Sequence, residues 1–119
     1  MPLVAAPTAS KTAIEGFTAS LALELAEFGI RARLVQPGYG PGTRFAAHGG
    51  ARMQGGLIPE AYADHAQRVS AAFAEPAAVT TAAEVAETVW AAANEDSERL
   101  RHAAGPDAVA LAQRSASAA

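Results

Sequence analysis

Between Thr8 and Gln36 the hydrophobic period of the chain changes once, and that change most restricts what it can fold into. Ile14, Phe17, Leu21, Leu25 and Phe28 recur at spacings of three and four, which predicts a helix over 8–28 with one buried face. Glu15, Glu24 and Glu27 fall largely off that stripe, and Gly29 stands where a helix often ends in the left-handed conformation. The run Ile30-Arg31-Ala32-Arg33-Leu34-Val35-Gln36 is short, β-branched at two positions and bounded by Gly29 and Pro37-Gly38, so it reads as a strand. A helix that hands over to a strand through a single glycine is the joint of an α/β crossover. Pro7 falls in the first helical turn, where a missing N–H costs nothing.

Residues 46–76 look irregular around Gly49-Gly50 and Gly55-Gly56, with a helix expected over 59–74. Thr81 and Glu84 have the spacing of a capping box and open a helix to about Asn94, with Val85, Val89 and Trp90 on its apolar face. A polar loop over 95–98 leads to a short strand over 100–104 that ends at Gly105-Pro106, and 107–113 reads as a helix. The small-residue run 114–119 is expected to fray. No internal repeat is visible, and low complexity is confined to an alanine bias and this tail.

Composition excludes several classes of function. Without cysteine there are neither disulfides nor thiolate metal sites, and His48, His65 and His102 have no spacing that suits one metal ion. The 9 Lys and Arg against 12 Asp and Glu give a net charge of −3 with no basic run, which argues against a nucleic-acid partner. No apolar stretch approaches the roughly 20 residues that cross a bilayer, and the first residues lack the positive region of an export signal. A cytoplasmic location without membrane attachment is the expectation.

Glycines in Gly38-Tyr39-Gly40-Pro41-Gly42 invite comparison with a phosphate-binding turn, but Pro41 removes a donor and no clear helix opens directly behind Gly42. More specific is the order Ala9-Ser10-Lys11-Thr12-Ala13-Ile14-Glu15-Gly16-Phe17, then Leu-Ala-Leu-Glu-Leu-Ala before Phe28-Gly29-Ile30-Arg31, then Val35-Gln36-Pro37-Gly38. This combination resembles the C-terminal half of a short-chain dehydrogenase/reductase, densest over 9–45 and traceable over 1–111. The resemblance implies a partial, doubly wound, Rossmann-like α/β fold over 1–111, containing only its C-terminal strands and helices, with 112–119 a flexible tail.

It also implies NAD- or NADP-dependent oxidoreduction of a small-molecule substrate. In that family a tyrosine moves the proton, and a lysine four residues on holds the ribose and lowers the tyrosine's pKa. Lys11 is the matching lysine, whereas the tyrosine position is Pro7, which has no proton to move. Pro37 and Gly38 match the pair at the strand end, the backbone that follows at Tyr39 would meet the nicotinamide amide, and Thr43 matches a cofactor contact at slightly longer spacing. The segment 46–76 corresponds to the substrate lid, which makes Met53, Leu57, Ile58, Tyr62, His65 and Phe73 candidates for pocket lining, with ordinary packing as the alternative.

The family's dinucleotide turn, catalytic serine and asparagine-bearing strand have no counterpart in these 119 residues. Three readings follow: an oxidoreductase part that is inactive alone, an interaction module that pairs with itself or a related subunit, and an incomplete gene product that begins at an internal methionine.

Overall fold

The computed structural model describes residues 4–45, 47–48, 56, 58–73 and 78–118. Its first element, α1, spans Ala5–Ala26. It begins three residues before the expected start, because the first helical bond runs from the Thr8 N–H to the Val4 carbonyl (2.9 Å). Pro7 lies inside that opening turn, before any N–H is needed. The far end closes through Gly29 at φ 68°, with Gly29 N–H on the Ala26 carbonyl (3.0 Å) and Ile30 N–H on the Leu25 carbonyl (3.1 Å). These two bonds are the Schellman closure that a left-handed glycine permits.

The strand expected over 30–36 is shorter and shifted: β1 spans Leu34–Pro37. It pairs in parallel with β2, Arg101–Ala104, so that Leu34 faces Arg101 and Pro37 faces Ala104. The four-residue partner limits the ladder, and residues 30–33 are held by side chains instead. Arg33 donates to the carbonyls of Ala92 (2.9 Å) and Ser97, while Arg31 donates to the carbonyl of Glu95 (2.8 Å). Ala92 lies in the last turn of α3, Ala82–Asn94, so one guanidinium meets the carbonyl-rich end of a helix.

Helices cover both faces of the two-stranded sheet. Val35 lies against Val89, Ala92 and Ala93 of α3. Gln36 and Arg101 look toward Leu111 and Ala112 of α4, Pro106–Ser117, and toward Glu15 of α1. Neighbouring strand residues point to opposite faces, so α3 packs against both strands on one side, while α4 packs against β2 on the other. The fold is therefore α/β with a small parallel sheet. Helix α4 continues to Ser117, past the 107–113 expected for it, and Arg114 sits favourably in its last turn. A 3₁₀ turn over Glu60–Tyr62 leads into α2, Ala63–Phe73. Residues 44, 45, 47 and 48 are helical, the last two within the stretch expected to be irregular. Among the described residues no helix is long and apolar enough to cross a membrane.

The core is thin. Among the described residues the buried apolar ones are Ala66, Ala92 and Ala104, none of which removes much surface from water. The α1 stripe, expected to be buried, is largely open: Ile14, Phe17 and Phe28 are exposed, Leu21 and Leu25 half-buried. Trp90 and Val89 on the expected apolar face of α3 are exposed as well. A folded monomer of this mass shows on the order of 6,000 Å² to water, whereas this chain shows 9052 Å². Its radius of gyration is 16.8 Å, against roughly 13.5 Å for a compact chain of this length.

The capping box at Thr81 forms as expected. Thr81 Oγ1 accepts from the Glu84 N–H (3.2 Å) and Glu84 accepts from the Thr81 N–H (2.8 Å). Thr81→Ala is expected to lower stability by about 1 kcal/mol, seen as a lower urea midpoint at unchanged slope. Thr81→Ser, which keeps the hydroxyl, should stay near the parent.

Candidate functional site

The chain leaves β1 where its hydrogen bonds to β2 run out. Gly38 still donates to the Ala104 carbonyl (3.0 Å), and the next residue turns away to a different partner. Tyr39 N–H donates to Asp107 Oδ2 (2.6 Å), and the Tyr39 carbonyl accepts from the Thr80 N–H (2.7 Å). The Thr80 hydroxyl lies 2.6 Å from Asp107 Oδ1 and 3.2 Å from the Ala104 carbonyl. It has one proton to give, and the nearer, charged oxygen is the stronger acceptor. Tyr39, Thr80 and Asp107, from three separate stretches of chain, thus close a ring of hydrogen bonds.

Two glycines make room for that ring. A Cβ on Gly38 would overlap the Asp107 carboxylate, and a Cβ on Gly105 would overlap the Thr80 side chain. Gly105 also has φ 95°, a conformation that favours glycine, and it precedes Pro106 at the start of α4. Asp107 occupies the first turn of that helix, where a negative charge meets unpaired N–H groups. Hydrogen bonds hold its carboxyl below the usual carboxylate range, first that from Thr80, then that from Tyr39 N–H, with the helix-start amides adding to both.

Beside the ring is a cleft of ≈ 630 Å³ bounded by Glu15, Gln36, Gly38, Arg101, Leu111 and Ser115. Glu15, expected on the outer side of α1, is turned inward and half-buried. Its Oε1 accepts from Gln36 Nε2 (3.0 Å) and its Oε2 pairs with Arg101 Nε (3.4 Å). This one carboxylate is a link between α1 and both strands, a part that an apolar stripe would normally play.

Of the residues singled out from sequence, Pro37, Gly38 and Tyr39 border this cleft together. Lys11 and Thr43 do not border it. Lys11 is exposed and, among the described residues, makes no hydrogen bond or ion pair. Thr43 is exposed and closes a local turn, its N–H (3.1 Å) and hydroxyl (2.7 Å) both donating to the Gly40 carbonyl. Pro7 accepts from the Ser10 hydroxyl (2.9 Å) through its carbonyl. Of the lid candidates among the described residues, Ile58 is half-buried, Tyr62 and His65 are exposed, and these three do not border the cleft. Met53, Leu57 and the side chain of Phe73 lie outside the described residues.

The N–H groups of Gly38, Tyr39 and Thr43 are already taken within the chain, and Pro41 has none. The stretch 38–43 is therefore a poor phosphate cradle despite its glycines. Sequence reasoning missed Glu15, Gln36, Thr80, Arg101 and Asp107. Only Asp107 had a readable signal, an acid just after Gly105-Pro106 where a helix begins.

The lowered Asp107 pKa carries a sign. Its contribution to stability is in full force above the unfolded value near pH 4 and is lost as pH falls through the lower folded value. Acid titration of the fold should accordingly show a loss of stability below about pH 4 that is shallower in Asp107→Asn. An identical acid profile for parent and variant would contradict the assignment.

A family model described as short chain dehydrogenase matches residues 1–52, which contain Pro7, Lys11, Pro37, Gly38, Tyr39 and Thr43. No curated protein and no solved structure matches the chain.

Proposed function

We propose that this chain is the C-terminal part of a short-chain dehydrogenase/reductase, with NAD(P)-dependent oxidoreduction of a small molecule as its inherited chemistry. The observation that carries the proposal is the family match over residues 1–52. It spans the whole helix-to-strand unit, from the Lys11 helix to the Pro37-Gly38 strand end. A small parallel sheet with helices on both faces agrees with that origin. On this reading β1 and β2 are the last strands of a doubly wound sheet, Lys11 is the ribose-holding lysine, and the Gly38-Tyr39 backbone meets the nicotinamide end of the cofactor.

Two elements of that chemistry have no provider among these residues. Proline at position 7 cannot give or accept a proton. The phosphate-binding turn and the acidic or basic residue that chooses between NAD and NADP would come from another segment, whether of the same polypeptide or of a second one. These 119 residues alone therefore transfer no hydride. Titration calorimetry with NAD(H) and NADP(H) should show binding weaker than about 1 μM, in the parent and in Pro7→Tyr alike. Micromolar or tighter binding would reveal a phosphate site and overturn the proposal.

A second reading, an interaction module that pairs with itself or with a related subunit, is favoured by the exposed surface. Phe17 is 67 % exposed and Leu23 77 %, both on α1. The β1 edge that faces away from β2 has no strand partner among the described residues. Such an edge beside open apolar side chains favours association. Size exclusion with light scattering is expected to give oligomers or a partly unfolded species. A monodisperse monomer with a cooperative melt above about 50 °C would rule this reading out.

A further inference from the structure

The ring of Tyr39, Thr80 and Asp107 has a topological property beyond its contribution to stability. Tyr39 lies two residues past the end of β1, and Thr80 immediately precedes the N-cap of α3, with residues 40–79 between them in the sequence. The Thr80 N–H donates directly to the Tyr39 carbonyl at 2.7 Å, so the two ends of a long excursion are joined at its neck. We infer that Asp107 is the positioning residue of the candidate site: through the Thr80 hydroxyl and the Tyr39 N–H, it clasps that neck and sets the backbone at the end of β1.

Geometry supports this assignment over a role in packing. Asp107 uses both carboxylate oxygens, one on each end of the excursion, at 2.6 Å in each case. Thr80 is buried, so its hydroxyl needs a partner on this spot. Gly38 leaves the space that the carboxylate occupies, and Gly105 leaves the space that Thr80 occupies. The clasp bonds go to the Tyr39 N–H and carbonyl while the residue as a whole is 47 % exposed, so its backbone and not its side chain is what the clasp holds. The functional meaning rests on the reading of the Gly38-Tyr39 backbone as the part that meets the cofactor. The clasp itself does not.

Amide hydrogen exchange resolved by NMR on the full chain tests it without any nucleotide. Asp107→Ala, which removes the acceptor of the Tyr39 N–H, should speed exchange at the Tyr39 amide by about ten-fold, the scale of a lost hydrogen bond to a charged group, and Thr80→Val, which removes the hydroxyl that holds the same carboxylate, should speed it by a smaller factor. The Leu34 amide, bonded to the Leu100 carbonyl within the ladder, should change less than about two-fold in the same variants, since its partner is untouched. Equal acceleration at Leu34 would mean a general loss of stability, and no acceleration at Tyr39 would mean no clasp; either overturns the inference.

Should Asp107→Ala fail to fold, Thr80→Val, which keeps the shape of the side chain, still decides. A reciprocal test uses the space between the partners. Gly38→Ala should lower Tm strongly in the parent and markedly less in an Asp107→Ala background, and equal drops would contradict the contact. Tight nucleotide binding by the isolated chain would sink the proposed function and leave the clasp intact, whereas a failed exchange experiment would do the reverse.

Discussion

The short parallel ladder between Leu34–Pro37 and Arg101–Ala104 is the constraint on which the rest of the structure depends. Parallel strands cannot be joined by a tight turn, so the chain between them has to travel out and back. Here that path includes the 3₁₀ turn, α2 and α3. Four paired residues are few to hold such a connection, and polar side chains reinforce it at both ends. At the start of β1, Arg31 and Arg33 reach the carbonyls of Glu95, Ala92 and Ser97. At its end, Asp107 and Thr80 take the backbone of Tyr39.

Arginine suits the first of these tasks because its fixed fork can serve two carbonyls at once, as Arg33 does. Around it, Glu95 is drawn below the usual carboxylate range, first by the Ser97 hydroxyl and then by Arg99. The Arg31–Asp96 pair (3.3 Å) is open to water and adds little by itself. His102 on β2 is buried, with Nε2 3.2 Å from the Arg99 carbonyl and Nδ1 3.6 Å from Glu95, so the polar loop 95–99 folds back over the strand it precedes. Polar contacts matter here because the buried apolar residues among those described are alanines, which bury little area each.

Local features were legible in the sequence and long-range ones were not. The Thr81–Glu84 box, the Gly29 closure, and the strand ends at Pro37-Gly38 and Gly105-Pro106 depend on residues within a few positions of one another, and all of them appear in the structure. Helix α1 kept its type but not its buried face, since periodicity shows which residues share a side and not whether anything packs against it. The strand from Ile30 shrank to Leu34 because its length is set by a partner about seventy residues away. Glu15 and Asp107 read as ordinary helix acids, and only the fold brings the first to Gln36 and Arg101 and the second to Tyr39 and Thr80.

The electrostatics of the cleft restrict what can approach the strand end. A helix start beside a glycine-containing loop is ordinarily a place for a phosphate, because unpaired N–H groups converge there. In this chain Asp107 supplies its own negative charge to the start of α4 and uses the Tyr39 N–H as well. Glu15 brings a second carboxylate to the same cleft, with Arg101 paired to it. A phosphate placed beside Gly38 would meet a carboxylate where it needs a donor, a repulsion that the partly sheltered setting strengthens. A dinucleotide that met this loop would therefore have to do so through an uncharged end, with its phosphates held elsewhere. The glycines at 38 and 105 serve to bring Asp107 and Thr80 close to the backbone, and the tightness of that fit keeps the anion-binding corner occupied by the protein itself.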